Sequence, residues 1–167
     1  MFHRITIRQL ILFLSTYALL LFLICRYFSF DGLYGQDSYA YLRQAKDFLS
    51  IKPQSEFWPP MFALTGWLLS LVFHNAILSL QLTSIISLTI SAFLLIQIMQ
   101  SFHKDSNLVI VFVAIGYLLS PFAVRSGIVI MSDAIATLFC LLTTYYIFVS
   151  TNTYKIFYAL QIGRAHV

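Results

Sequence analysis

Apolar runs that are both long and repeated constrain this chain more than any other feature. A membrane-crossing helix needs about 20 predominantly apolar residues, and residues 9–26, 77–100, 108–124 and 134–150 each come close. Four transmembrane helices are predicted over these ranges. The composition agrees, with 60% hydrophobic, 17% aromatic and only 10% charged residues and a mean hydropathy of +0.85. That balance excludes an ordinary soluble domain and predicts an all-α polytopic membrane protein whose principal partner is the lipid bilayer.

The first run carries Arg4 and Arg8 ahead of it, as a signal peptide would, but Cys25, Arg26 and Tyr27 offer no small-x-small cleavage site. An uncleaved anchor is expected. The net charge of +4 is spread singly over loops and forms no basic stripe, which argues against nucleic acid and for topology signals. Cys25 and Cys140 fall within predicted spans without partners at ligand spacing, and buried thiols are expected. His74 and His103 lie in different loops with no metal-ligand spacing, so no metal site is indicated.

The end of the chain raises a separate matter. Ile162 to Val167 back-translates as ATC GGA AGA GCA CAC GTC, which resembles a common sequencing-library adapter. Residues 161–167 are therefore expected not to be native, residues 1–160 to be the N-terminal part of a longer membrane domain, and this piece alone to be inactive.

Pro59 to His74, "PPMFALTGWLLSLVFH", is apolar enough to be a span. Its helix, over 60–74, would rise only about 22 Å against a hydrocarbon core of about 30 Å. Placed in the interface, it puts Arg4, Arg8, Lys104 and Lys155 on the cytoplasmic side, as the positive-inside rule prefers. Gly66, Ser70 and His74 then form a weak polar stripe facing water or a partner helix.

Residues 29–76 become a single external loop. It contains "FDGLYGQDSYAYLRQAKDF", which holds three of the six acidic residues. Over 38–50, Tyr41, Leu42, Ala45, Phe48 and Leu49 fall on one helical face, with Arg43, Gln44, Lys46 and Asp47 opposite. Two amphipathic juxtamembrane helices, 38–50 and 60–74, are predicted, separated by Pro53, Pro59 and Pro60. Asp37 stands at the entrance to the first. Pro121 and Gly127 interrupt the third span, and a short loop leads to Asp133 on the same side as Asp37.

The order of parts, "GQDSYAYLRQA", then "WPPMFALTGWLL", then a basic-ended hairpin, then "LLSPFAVRSGIVIMSDAIATLF", resembles the N-terminal part of the GT-C integral-membrane glycosyltransferases. That group includes the family 39 protein O-mannosyltransferases and the aminoarabinose transferases. The resemblance implies a truncated GT-C-like fold in the bacterial cytoplasmic membrane, N-terminus inside. It also implies transfer of a sugar from a polyprenyl-phosphate donor to a hydroxyl on a glycan, lipid or protein acceptor, with no further cofactor. Asp37 matches the base in the first external loop, Asp133 a second acid, and Pro59 and Pro60 the family's proline pair. Three positions depart from the pattern: Ser38 stands where an acid is frequent, Ala40 where some members carry arginine, and no lysine precedes Pro60.

Such a donor brings its own leaving group, so the enzyme chiefly needs a carboxylate to take the acceptor's proton. A carboxylate at a helix N-terminus is favoured in the ionised form that task requires. Asp37 and Asp133 also have a simpler role as helix caps. Of the cations on the proposed active face, Arg43, Lys46 and Arg125, the first choice to face the lipid phosphate is Arg125, although interfacial arginines also snorkel to head groups and Arg43 also fits a solvated helix face. Tyr41 has the chemistry to stack on sugar or to anchor at the interface. No Gly-rich phosphate loop or nucleophile elbow occurs. The rivals are a fragment of a polytopic transporter or flippase, whose ionisable groups would lie near the midplane on broken helices, and a scaffold without chemistry.

Overall fold

The structure is a computed structural model, and it describes residues 7–50, 60–102 and 107–149. The expectations for Arg4, Pro53, Pro59, His103, Lys104, Lys155 and the adapter-like tail lie outside those residues. Among the described residues there are seven helices and no strand: α1 (Ile7–Tyr27), α2 (Gly35–Leu49), α3 (Pro60–Phe73), α4 (Ala76–Phe102), α5 (Asn107–Leu118), α6 (Pro121–Ile128) and α7 (Asp133–Val149).

Two helices are long and apolar enough to cross a membrane, α1 with 21 residues and α4 with 27, or about 31 and 40 Å of rise. A third crossing results if α5 and α6, bent by 55° at their junction, are taken as one span. The span expected over 108–124 is thus broken at Pro121, one of the two interruptions expected from the sequence. Pro121 sits at the start of α6, where its missing N–H is harmless, and Ser120 caps that start by accepting from the Ala123 N–H at 3.1 Å. Gly127, expected to interrupt the helix, lies inside α6, buried against Leu88. The fourth expected span, α7, has 17 described residues, about 25 Å of rise, less than a crossing needs over those residues.

The central helix is α4, which touches all six others. Its sequence explains the position: Ser79, Thr83, Ser84, Ser87 and Ser91 are buried, and small hydroxyl side chains let neighbouring helices approach. Thr83 and Ser84 return their hydroxyls to the carbonyls of Ser79 and Leu80 one turn earlier, which satisfies them without a partner helix.

Direction follows from who meets whom. Near one end, Leu10 and Leu14 of α1 cluster with Ala92 and Ile96 of α4 and Ile110 and Ala114 of α5. Near the other, Arg26 at the end of α1 donates to Gln81 near the start of α4. The Ile128 carbonyl ending α6 accepts from that same Gln81. So α1 and α5–α6 run antiparallel to α4, while α7, which starts beside Leu80 through Ile135, runs with it.

At the Gln81 end, α2 and α3 form a small layer over the start of α4. Leu80, Phe62, Ala63, Tyr41, Leu42, Ala45, Ile130 and Ile135 make one buried cluster. Gly66 is needed there because a Cβ would fall 2.3 Å from Leu80 Cδ2. Two of the three residues of the expected polar stripe, Gly66 and Ser70, are buried, so that part serves close packing between helices. The third, His74, is exposed and takes a left-handed turn (φ 52°) that ends α3. Asn75 then caps α4 by accepting from the Leu78 N–H at 3.0 Å.

On α2 the expected apolar face is buried through Tyr41, Leu42 and Ala45, while Arg43 and Lys46 are exposed. Gln44, assigned to the polar side, is buried as well. Cys25 is buried but Cys140 is exposed on α7, unlike the expected pair of buried thiols.

Candidate functional site

The site is assembled from two loop segments laid side by side at the Gln81 end. After α1 the chain turns through Ser29 (φ 53°) and Gly32 (φ 85°). A side chain at Gly32 would be strained by that φ and would meet the Ile128 carbonyl oxygen at 2.9 Å. The close approach lets the Ile130 N–H donate to the Gly32 carbonyl at 2.8 Å, joining the loop before α2 to the loop before α7.

Two buried side chains complete the joint. Gln81, fully buried, donates its amide to the carbonyls of Phe30 (3.2 Å) and Ile128 (3.3 Å) and accepts from Arg26. Ser38, also fully buried, has the carbonyls of Tyr34 (2.8 Å) and Ile130 (2.9 Å) as acceptors and itself accepts from the Tyr34 N–H at 3.1 Å. Position 38 therefore needs a proton donor facing carbonyl oxygens. A carboxylate there would set negative charge against them, which accounts for serine where the resembled family often has an acid.

Helix α2 begins at Gly35, earlier than expected, so Asp37 lies in its first turn rather than before it. The N-cap is Tyr34, whose side chain makes no capping bond. Asp133 is the first residue of α7. Both carboxylates are half-buried. Tyr41 lies one turn beyond Asp37, and its phenol is held above the ordinary tyrosine value. Burial is the main cause, opposed by the neighbouring Ser132, and the negative charges of Asp37 and Asp133 add to it. The two acids thus share one end of the molecule and act on one buried hydroxyl. Tyr41 is 2% exposed, with its ring edge-on to Phe62 at 4.9 Å. That leaves no face for stacking on a sugar.

The cations divide. Arg125, exposed on α6, places its guanidinium 5.6 Å from the ring centroid of Tyr34, so it lies beside the start of α2 and near the turn that holds Asp37. Arg43 is exposed about 200° around α2 from Tyr41 and is not on the face that meets α7. Pro60 is exposed at the start of α3. Among the described residues no three of His, Cys, Asp or Glu come together as metal ligands. A cavity of about 420 Å³ lies at the opposite end of the helices, lined by Leu10, Phe13, Ile96, Ile110, Ala114 and neighbours, far from these groups.

Comparison with family models, with curated proteins and with solved structures returns no match.

Sequence reasoning missed Gln81, Arg26 and Ser132, and read Ser38 only as a departure from a pattern. Gln81 had a signal, an amide inside the apolar run "AILSLQLTSII", since a polar group there needs partners. Ser132 had none.

Proposed function

We propose that this chain is the N-terminal membrane portion of a glycosyltransferase that moves a sugar from a polyprenyl-phosphate donor to an acceptor hydroxyl outside the cytoplasm. Asp37 serves as the general base and Asp133 as the acid that orients the acceptor. The observation that carries this reading is that Asp37 and Asp133, each in the first turn of its helix, are brought to one end of the molecule by the Ile130–Gly32 and Ser38–Ile130 bonds, with Arg125 beside the start of α2. A membrane-embedded phosphate and a water-borne hydroxyl need such an arrangement at an interface: a half-buried carboxylate to accept the proton and an accessible guanidinium to face the leaving phosphate. The four-span topology, with α7 as the fourth crossing, α2 and α3 lying in the outer interface and the N-terminus in the cytoplasm of a bacterial cell, belongs to the same proposal. So does the GT-C-like fold. A glycan, lipid or protein acceptor fits equally.

The 55° break between α5 and α6 favours the second reading, a piece of a transporter or flippase, because such proteins build their sites on broken helices. Asp37→Asn separates the two. In membranes carrying the full-length protein, loss of a general base is expected to lower sugar transfer from the lipid-linked donor by about 10²-fold or more. Unchanged transfer would remove Asp37 from the chemistry. Single cysteines at the exposed positions Gln36 and Arg125 are both expected to react with an impermeant thiol reagent from outside only. Reaction of Gln36→Cys from both sides would instead indicate the alternating access of a transporter.

A further inference from the structure

We propose that the cleft between α1 and α5, at the end of the molecule away from Gln81, is a binding site for one anionic glycerophospholipid. An acyl chain enters the cleft and the phosphate faces Arg8.

The cleft follows from where the two helices are tied. The Tyr17 hydroxyl of α1 donates to the Leu118 carbonyl at the end of α5, at 2.7 Å, and Leu14 clusters there with Leu118 and with Ala92 of α4. One turn nearer the starts of α1 and α5, a cavity of about 420 Å³ opens between them, lined by Gln9, Phe13, Ile96, Val111, Ala114 and Ile115 among others. That volume lies within the range of about 300–1,000 Å³ usual for sites that hold small molecules. Phe13, Val111 and Ile115 are exposed, so the cleft is open on its outer side, where the bilayer would lie against α1.

Its chemistry is ordered along the helix axis. Gln9, in the first turn of α1, is the one polar residue among those that line it, and Phe13 stands about 6 Å further in. A polar entrance and an apolar interior match an amphiphile whose head stays at the interface. Water gains nothing inside, since apolar cavities of this size stay dry. A helix about 10–12 Å across is too wide for a cleft that closes one turn further on, at the Tyr17–Leu118 bond, whereas an acyl chain is narrow enough.

Charge selects the head group. Arg8 adjoins Gln9 and is exposed. The acids among the described residues, Asp31, Asp37, Asp47 and Asp133, belong to the loop after α1, to α2 and to the start of α7, at the other end of the molecule. Arg8 therefore meets no described carboxylate, and its long stem lets the guanidinium reach lipid head groups. Basic positions beside clefts between spanning helices favour anionic head groups. The inference uses none of the groups around Asp37, so it stands or falls apart from the glycosyl-transfer reading.

The test is native mass spectrometry of the full-length protein in detergent, titrated with dioleoyl phosphatidylglycerol or dioleoyl phosphatidylcholine. The parent is expected to bind one phosphatidylglycerol about fivefold more tightly than phosphatidylcholine, the preference one arginine at a membrane surface supplies. Arg8→Gln is expected to abolish that preference. Ala114→Phe, which fills the cleft, is expected to weaken both lipids by tenfold or more. Ala114→Leu, which takes less of the space, is expected to weaken both by a smaller factor and keeps the test readable if the phenylalanine variant does not fold. Ile11→Phe, on the exposed side of α1, is expected to leave both within twofold. Equal binding of the two lipids by the parent would overturn the proposal, as would undiminished phosphatidylglycerol binding in Ala114→Phe or Ala114→Leu. Absence of lipid binding, with a higher melting temperature in Ala114→Phe, would assign the cleft to packing and overturn it too.

Discussion

Replacing Ser38 tests the joint between the two loops directly. Alanine removes the Ser38 hydroxyl from the Ile130 carbonyl, at 2.9 Å, and deletes its bonds to the Tyr34 carbonyl and N–H at 2.8 and 3.1 Å. Tyr34 is exposed, so water replaces those bonds at little cost. Ile130 is fully buried, and a stranded buried acceptor costs about 1–3 kcal/mol. With one such group lost, Ser38→Ala is expected to destabilise by about 1–2 kcal/mol. That is a fall of about 2–8 °C in apparent Tm at about 2–4 °C per kcal/mol for a chain of this size. Ser38→Glu is expected to be worse, because an ionised group buried against two carbonyl oxygens adds a desolvation penalty of about 2 kcal/mol or more. Thermal unfolding of the detergent-purified protein, followed by tryptophan fluorescence, reads both. A Ser38→Glu variant as stable as the parent would refute the account of position 38 and restore the simpler view that serine there is a neutral departure from an acidic pattern.

Further outcomes follow from the same packing. Gly66→Ala gains about 1 kcal/mol of helix propensity but drives its Cβ to 2.3 Å from Leu80 Cδ2. Overpacking costs about 1–3 kcal/mol, so the expected net effect is a loss of about 1 kcal/mol, read by the same melting assay. Gln81→Leu keeps the volume but strips partners from the carbonyls of Phe30 and Ile128 and from Arg26. It should cost about 2–3 kcal/mol, read by the same melting assay. Because Tyr41 is held above the ordinary tyrosine value, the unfolded chain loses that proton first as pH rises. Its contribution is complete at neutral pH and is lost above about pH 10, through the folded value. Melting from pH 8.5 to 11 should show a smaller alkaline decline in Tyr41→Phe than in the parent.

Some of this is legible in the chain alone because it depends on period and length. Apolar length separates α1 and α4 from everything else, and the run of Tyr41, Leu42 and Ala45 on one face of α2 follows from a 3.6-residue repeat. Proline chemistry marks the α5–α6 break, though the sequence did not indicate that Pro121 would begin a new helix under the cap of Ser120. Burial of Gln44 was misjudged for a physical reason: periodicity distinguishes apolar from polar residues, and a glutamine on the margin of a face is drawn in where neighbouring helices pack against α2.

What the sequence by itself determined is the class of molecule, apolar helices suited to a bilayer, and that two acids, Asp37 and Asp133, stand at the starts of helices. These depend on local composition, which each segment carries with it. Only the tertiary structure decided that the two acids act on one hydroxyl, that Tyr41 faces inward and that Arg125 rests on Tyr34. Those relations require residues about a hundred positions apart to be brought together. The ties that do so, a left-handed Gly32, a buried Gln81 and a serine aimed at a distant carbonyl, carry no period for a sequence to display.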